Sequence, residues 1–158
     1  MPDTVQAALR IQRPGGHVDD WFHVVLDYPT RQVILSSSMP AADHPPRFLV
    51  RGTTGSLVKH GCDPQERRLM AGERPGRAEW GDDPDPLLVL RDGAESERVP
   101  VPSGDYGRFY VAISDAIREG TRVPVSAAEA VTTMAIIAAG IDSSAAGRAV
   151  PAAGVLTP

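Results

Sequence analysis

Apolar and polar positions alternate from Val5 to Lys59 with the period of half-buried β-strands. Between Trp21 and Tyr28, the side chains of Phe22, Val24, Leu26 and Tyr28 share one face, and those of Trp21, His23, Val25 and Asp27 share the other. Pro29-Thr30 supplies a turn, and Gln32 to Met39 reads as the return strand of a hairpin. Val5 to Ile11, ahead of the Arg13-Pro14-Gly15-Gly16 break, predicts an earlier strand. After the loop from Pro40 to Pro46, Arg47 to Arg51 and Ser56 to Lys59 flank Gly52-Thr53-Thr54-Gly55, whose glycines suit a tight turn. Leu87 to Leu90 and Arg98 to Val101 flank Asp92-Gly93, a dipeptide that favours chain reversal. Strands joined by short turns predict antiparallel pairing, because parallel neighbours need crossovers of a dozen residues or more.

Between the two strand groups, Pro64 to Ala71 loosens into one or two helical turns, and Gly72 to Pro86 is an irregular excursion dense in Gly, Pro and Asp. The period then lengthens. Tyr106, Phe109, Tyr110, Ile113 and Ile117 recur at helical spacing, with Gly120 placed to end the helix. Beyond Pro124 a second helix opens on Ser126-Ala127-Ala128-Glu129, a capping box, and Val131, Met134, Ala135, Ala138 and Ile141 line one of its faces. Strands followed by helices predict an α+β fold: an open, mostly antiparallel β-sheet with helices packed on one face. The expectation is a single domain over residues 1–150 with a loose tail at 151–158. The opposite sheet face then stays bare, although it carries Trp21, His23, Val25, Ile34 and Leu49. An apolar patch of that kind marks an interface, and the expected partner is a second copy of the same chain, giving a homodimer through the sheet face.

Composition narrows the function classes. At 158 residues, with 42% apolar and 23% charged residues, the chain fits one globular core. It has no apolar run long enough for a bilayer, and Met1-Pro2-Asp3-Thr4 opens no signal peptide, so a soluble, cytoplasmic protein is expected. A net charge of −4 offers no basic field to a phosphate backbone, and neither nucleic acid nor membrane is an expected partner. Cys62, the sole cysteine, excludes an internal disulfide and any multi-cysteine zinc site. Lys59 is the only lysine against fifteen arginines, a bias that genomic base composition accounts for.

Three segments carry candidate chemistry. In Asp19-Asp20-Trp21-Phe22-His23 a carboxylate precedes a histidine by four residues, but on a strand that spacing is about 13 Å, too far for a proton relay, and His23 reads as a solvated or interface residue. The run Lys59-His60-Gly61-Cys62-Asp63-Pro64-Gln65-Glu66 reads either as a structural turn or as part of a substrate pocket. A hydrolase built on His60 and Cys62 would need a third, orienting group that the sequence does not show. The four histidines, His17, His23, His44 and His60, lack metal-motif spacing, so no metal site is expected. Gly52 to Ser56 is followed by the strand-like Leu57-Val58, not by the helix start that a phosphate cradle requires.

Taken in order, several segments resemble the C-terminal domain of the Gfo/Idh/MocA oxidoreductases, the family of glucose-fructose oxidoreductase and inositol dehydrogenase. They are Asp20-Trp21-Phe22-His23 through Tyr28-Pro29, Arg47-Phe48 through Gly52-Thr53-Thr54-Gly55-Ser56, and Lys59 through Asp63-Pro64-Gln65-Glu66. Gly104-Asp105-Tyr106 through Phe109-Tyr110, Pro124-Val125, and Ser143-Ser144 through Gly147-Arg148 continue the match. The resemblance implies a domain that closes the substrate pocket and makes the dimer contact of a sugar or polyol oxidoreductase, whose NAD or NADP is held by an N-terminal Rossmann domain. The family's glycine fingerprint, its Glu-Lys-Pro motif and its helical Asp-x-x-x-His motif do not occur in this sequence, the Asp19 to His23 spacing falling on a strand instead. The expectation is therefore a chain that binds no cofactor, carries no catalytic residue and is inactive alone, with a Rossmann domain as a possible partner. Lys59, His60 and Gln65 are the residues expected to face the shared pocket. The competing reading is a non-catalytic binding or assembly module that dimerises through its open sheet.

Overall fold

A computed structural model describes residues 1–43 and 45–152. The chain forms β1 (Thr4–Arg10), β2 (Trp21–Tyr28), β3 (Arg31–Ser38), β4 (Phe48–Arg51), β5 (Ser56–Lys59), α1 (Gln65–Met70), β6 (Leu87–Leu90), β7 (Glu97–Val99), α2 (Tyr106–Glu119), α3 (Ala127–Ala146) and β8 (Val150–Pro151). The architecture is α+β and the strand pairings are antiparallel. The strands do not make one sheet, however: they divide into two sheets of four, ordered β3-β2-β1-β8 and β4-β5-β6-β7. The chain clusters into two compact units to match, Met1–Ala42 with Val125–Pro158, and Asp43–Pro124. The break falls in the Pro40 to Pro46 loop, where three prolines remove the N–H donors that a continuing ladder would need. No helix among the described residues is long and apolar enough to cross a membrane.

In the first unit, β1 lies between β2 and the short β8, and Val5 pairs with Leu26 on one side and Val150 on the other. Val5, Leu26, Ala139 and Ala152 form the buried core, with Val24, Tyr28, Val33, Ile136 and Val150 packed around it. Pro151 thus sits in the sheet and Ala152 is buried, so the loose tail expected from residue 151 does not begin there; residues 153–158 lie outside the described residues.

Helix α3 starts at the expected capping box, with the Ser126 Oγ accepting from Glu129 N–H at 3.2 Å and the Glu129 carboxylate accepting from Ser126 N–H at 2.8 Å. The face it lays on the sheet is not the one its large apolar residues mark. It buries Ala135, Ala139, Gly140 and Ser143, while Val131, Met134 and Ile141 stay exposed. The cause is proximity to β1. A Cβ on Gly140 would lie 3.8 Å from that of Ala7, and beyond the two residues paired with β8 the β1 backbone has no strand on that side. Ser143 and Ser144 take its place: Ala7 N–H donates to Ser143 Oγ at 2.9 Å and Leu9 N–H to Ser144 Oγ at 3.0 Å. Small residues bring the helix close enough for its hydroxyls to finish the ladder, so backbone satisfaction decides the face over side-chain bulk.

In the second unit, β4 to β7 form a meander, with Phe48 opposite Lys59 and Lys59 opposite Leu87. Gly55 is required where the β4–β5 turn passes β6, because a Cβ there would lie 2.6 Å from the Leu90 carbonyl oxygen. Helix α2 is capped by the Asp105 carboxylate at its start and by left-handed Gly120 at its end.

Candidate functional site

The register of the second sheet puts Phe48, Val50, Leu57, Lys59, Leu87 and Val89 on one face. Five of these six, with Val101 and Pro102, line an open cleft of about 390 Å³. Its polar end is made by Lys59, Asp63 and Asp83. A strand that ends on an otherwise apolar face delivers Lys59 there, and the excursion between α1 and β6 brings Asp83 to it. The ammonium and carboxylate meet at 2.9 Å with both side chains about nine-tenths buried. Lys59 Nζ also donates to the His60 carbonyl. Burial works against ionisation of Asp83. The Lys59 hydrogen bond, the Asp85 N–H at 2.9 Å and the Lys59 charge together outweigh it and hold the carboxyl below the ordinary aspartate range. Lysine rather than arginine suits this position, since a compact point charge on a long stem reaches one buried carboxylate without the five donors that a guanidinium must satisfy.

Behind the cleft, Gln65 is 1% exposed and has its polar atoms engaged. Its Nε2 donates to both Asp63 oxygens, at 3.0 and 2.8 Å, and its Oε1 accepts the Tyr106 N–H at 3.1 Å, tying α1 to the start of α2. Gly104 packs against this pair, and a Cβ there would collide with the Asp63 carboxylate and lie 2.7 Å from Gln65 Nε2. Gly104 N–H in turn donates to the Gly81 carbonyl at 2.9 Å. Arg68 donates to the Trp80 carbonyl at 2.6 Å and to that of Glu79, and stands 5.9 Å from the Trp80 ring. The stretch that reads as irregular in sequence is thus held by α1 and by the approach to α2.

Of the three residues expected at the pocket, Lys59 lines the cleft, Gln65 is a buried brace beside it, and His60 is exposed and enters only through its carbonyl. Asp83 had no signal of its own in a stretch rich in Asp, but the lone lysine that it partners was such a signal. Cys62 is free and exposed. Among the described residues no cluster of His, Cys, Asp and Glu could hold a metal ion; His44 lies outside them.

The expected interface residues divide between the sheets. Trp21, His23, Val25 and Ile34 share the face of the first sheet turned away from α3, where Val25 and Ile34 are a direct cross-strand pair. Leu49 belongs to the second sheet, beside Val58 and Leu88. Asp20, next to Trp21, is a loop tie: its buried carboxylate accepts from Gln12 N–H at 2.7 Å, Arg13 N–H at 3.0 Å and Arg13 Nε at 2.8 Å. The Gln12 bond is the main reason its pKa falls below the usual value, with Arg13 adding to it and burial opposing.

The starts of the two long helices do not fit a dinucleotide. Asp105 caps α2 and Glu129 closes the cap of α3, so each places a carboxylate at the positive end of the helix, where a pyrophosphate would otherwise be received.

Residues 1–152 match the family described as the C-terminal alpha/beta domain of the Gfo/Idh/MocA oxidoreductases. The chain is 40% identical over 147 residues to the uncharacterized oxidoreductase YdgJ of Escherichia coli, covering 91% of this chain and 42% of that protein. It is 36% identical over 149 residues to the scyllo-inositol 2-dehydrogenase (NADP(+)) IolW of Bacillus subtilis, with the same two shares. A crystal structure of an oxidoreductase from Bacillus cereus superposes with a TM-score of 0.79 at 36% identity, covering 89% of this chain and 44% of that one. The chain therefore spans less than half the length of the relatives it matches.

Proposed function

Because this chain belongs to the Gfo/Idh/MocA oxidoreductases and forms their C-terminal alpha/beta domain, we propose that it supplies the substrate-facing wall of an NAD(P)-dependent oxidoreductase acting on a polyol or sugar ring. The observation that carries this reading is the cleft on the second sheet, apolar along β4, β5 and β6 and closed at one end by the Lys59–Asp83 pair. A polyol ring has the matching character, with C–H faces to lie on Val50 and Leu57 and hydroxyl edges to exchange hydrogen bonds with an ammonium and carboxylates. The volume of about 390 Å³ suits one such ring. In this reading Lys59 and Asp83 orient hydroxyls, and Phe48 and Leu57 exclude water. The dinucleotide is held by another domain and supplies the hydride when bound. The chain alone is then inactive.

The test is a fusion in which the part of YdgJ outside the matched region precedes this chain. NADPH-dependent turnover of an inositol or its keto form is expected from the fusion, and none from the chain alone. Val50→Arg fills the cleft from an exposed position that tolerates it, and should raise KM at least tenfold with little change in kcat. A folded fusion whose KM ignores Val50→Arg would remove the cleft from the substrate site, and micromolar binding of NADPH to the chain alone would end the division of labour.

The bare face of the first sheet supports a further role in assembly. Trp21, Val25 and Ile34 form an apolar strip on it, and the proposal is that two copies associate there. Light scattering at high micromolar concentration should show a dimer that Ile34→Glu dissociates; a monomer throughout would refute it.

A further inference from the structure

The polar end of the cleft on the second sheet has hydrogen-bonding capacity left over, and the surplus is one-sided. Lys59 Nζ directs one of its three N–H donors to Asp83 and one to the His60 carbonyl, so one remains. Asp83 accepts Lys59 on Oδ2 and the Asp85 N–H on Oδ1, which leaves each oxygen a lone pair. Asp63 Oδ1 is filled by the Gln65 N–H at 2.9 Å and by Gln65 Nε2 at 3.0 Å, whereas Oδ2 takes only Nε2, at 2.8 Å. Gly104, beside that oxygen, has no side chain to cover it. The cleft therefore presents one free donor against three acceptor positions, and one ammonium against two carboxylates.

The surroundings keep that balance. The chain has fifteen arginines, yet among the described residues none lines the cleft. An anion site would carry a guanidinium fork or a free helix start. Helix α2 begins just after Gly104, but its Tyr106 N–H is taken by Gln65 and its Arg108 N–H by the Asp105 carboxylate.

We propose that this end of the cleft is a charge filter: it takes a ring diol that is neutral or carries an amine, and it rejects the phosphorylated and uronic-acid forms of the same ring. The proposal deepens the functional reading above and rests on it. A hydroxyl meets both needs at once, accepting the free Lys59 N–H and donating to a carboxylate oxygen, so a diol is held without parting the ion pair. A ring ammonium supplies only donors, which the surplus of lone pairs lacks. A phosphate or carboxylate supplies only acceptors. It satisfies the single N–H and sets its own charge against Asp63 and Asp83, where partly buried charges are screened less than exposed ones.

Binding to the 158-residue chain, followed through the methyl resonances of Val50 and Leu57, tests the filter with inositol, an amino-inositol and an inositol monophosphate as probes. The amino form should bind about threefold more tightly than inositol and the monophosphate about tenfold more weakly, and added salt should shrink both gaps. Asp63→Asn removes the excess charge and should bring the monophosphate within about threefold of inositol. Because that change also touches the Gln65 brace, Phe48→Lys gives a second route. It adds a cation from an exposed position opposite Lys59 and should strengthen monophosphate binding, a gain that an unfolded protein would not show. A wild-type chain that binds inositol and its monophosphate alike overturns the filter and leaves the substrate reading standing. Preference for the neutral ring with no NADPH turnover in the YdgJ fusion upholds the filter and sinks the proposed activity. No shift at Val50 or Leu57 with any probe overturns both.

Discussion

Replacing Lys59 by methionine keeps the length of the stem and removes the charge, leaving Asp83 about nine-tenths buried with the Asp85 N–H as its remaining donor. The His60 carbonyl loses its partner at the same time. Breaking a buried pair from one side costs about 3–5 kcal/mol, against about 0–1 kcal/mol for an exposed pair. For a chain of this length that corresponds to a Tm lower by roughly 10 °C. The compensated variant, Lys59→Met with Asp83→Leu, leaves no orphaned charge and should recover most of the loss. Acid should narrow the gap. The folded pKa of Asp83 is depressed, so the wild-type contribution is complete above the ordinary aspartate value of about 4 and is lost as pH falls through the folded value. Without Lys59, burial raises that pKa instead, and protonation relieves the variant at a higher pH. Urea titrations of the three proteins at pH 7 and pH 4 measure these terms. A cost below about 1 kcal/mol for Lys59→Met at pH 7, or a double variant as weak as the single one, would show that water screens the pair and that the cleft has no buried charge at its end.

Ser143→Ala should cost about 1–3 kcal/mol, since the Ala7 N–H and the Arg148 carbonyl both lose a buried partner; the Ala7 amide should exchange faster while Val5, paired with β8, changes less. Gly104→Ala forces a methyl into the Asp63–Gln65 pair and should destabilise the second unit by about 1–3 kcal/mol, read as faster exchange at the Tyr106 amide; a neutral effect would mean that the brace yields freely. Asp20→Asn should flatten the acid limb of stability. The carboxylate of Asp20 contributes fully above its ordinary value of 3.8 and loses that contribution as pH falls through the lower folded value, so wild type and variant should converge in strong acid.

Local pattern determined most of the elements. Alternation in Trp21-Phe22-His23-Val24-Val25 sets a strand whatever surrounds it, and Ser126 with Glu129 starts a helix by satisfying its own first donors. The order of motifs likewise carried the family, which the match over residues 1–152 bears out. What the sequence could not settle are choices between non-local partners. Val131, Met134 and Ile141 mark an apolar face on α3, but the buried face is the one with Ser143 and Ser144, because β1 needed acceptors more than it needed bulk. Lys59 and Asp83 lie in different segments, and Gln65 meets Tyr106 across 41 positions. Periodicity reports which side of an element is apolar; only packing decides which side is covered, and which buried charge finds its counterpart.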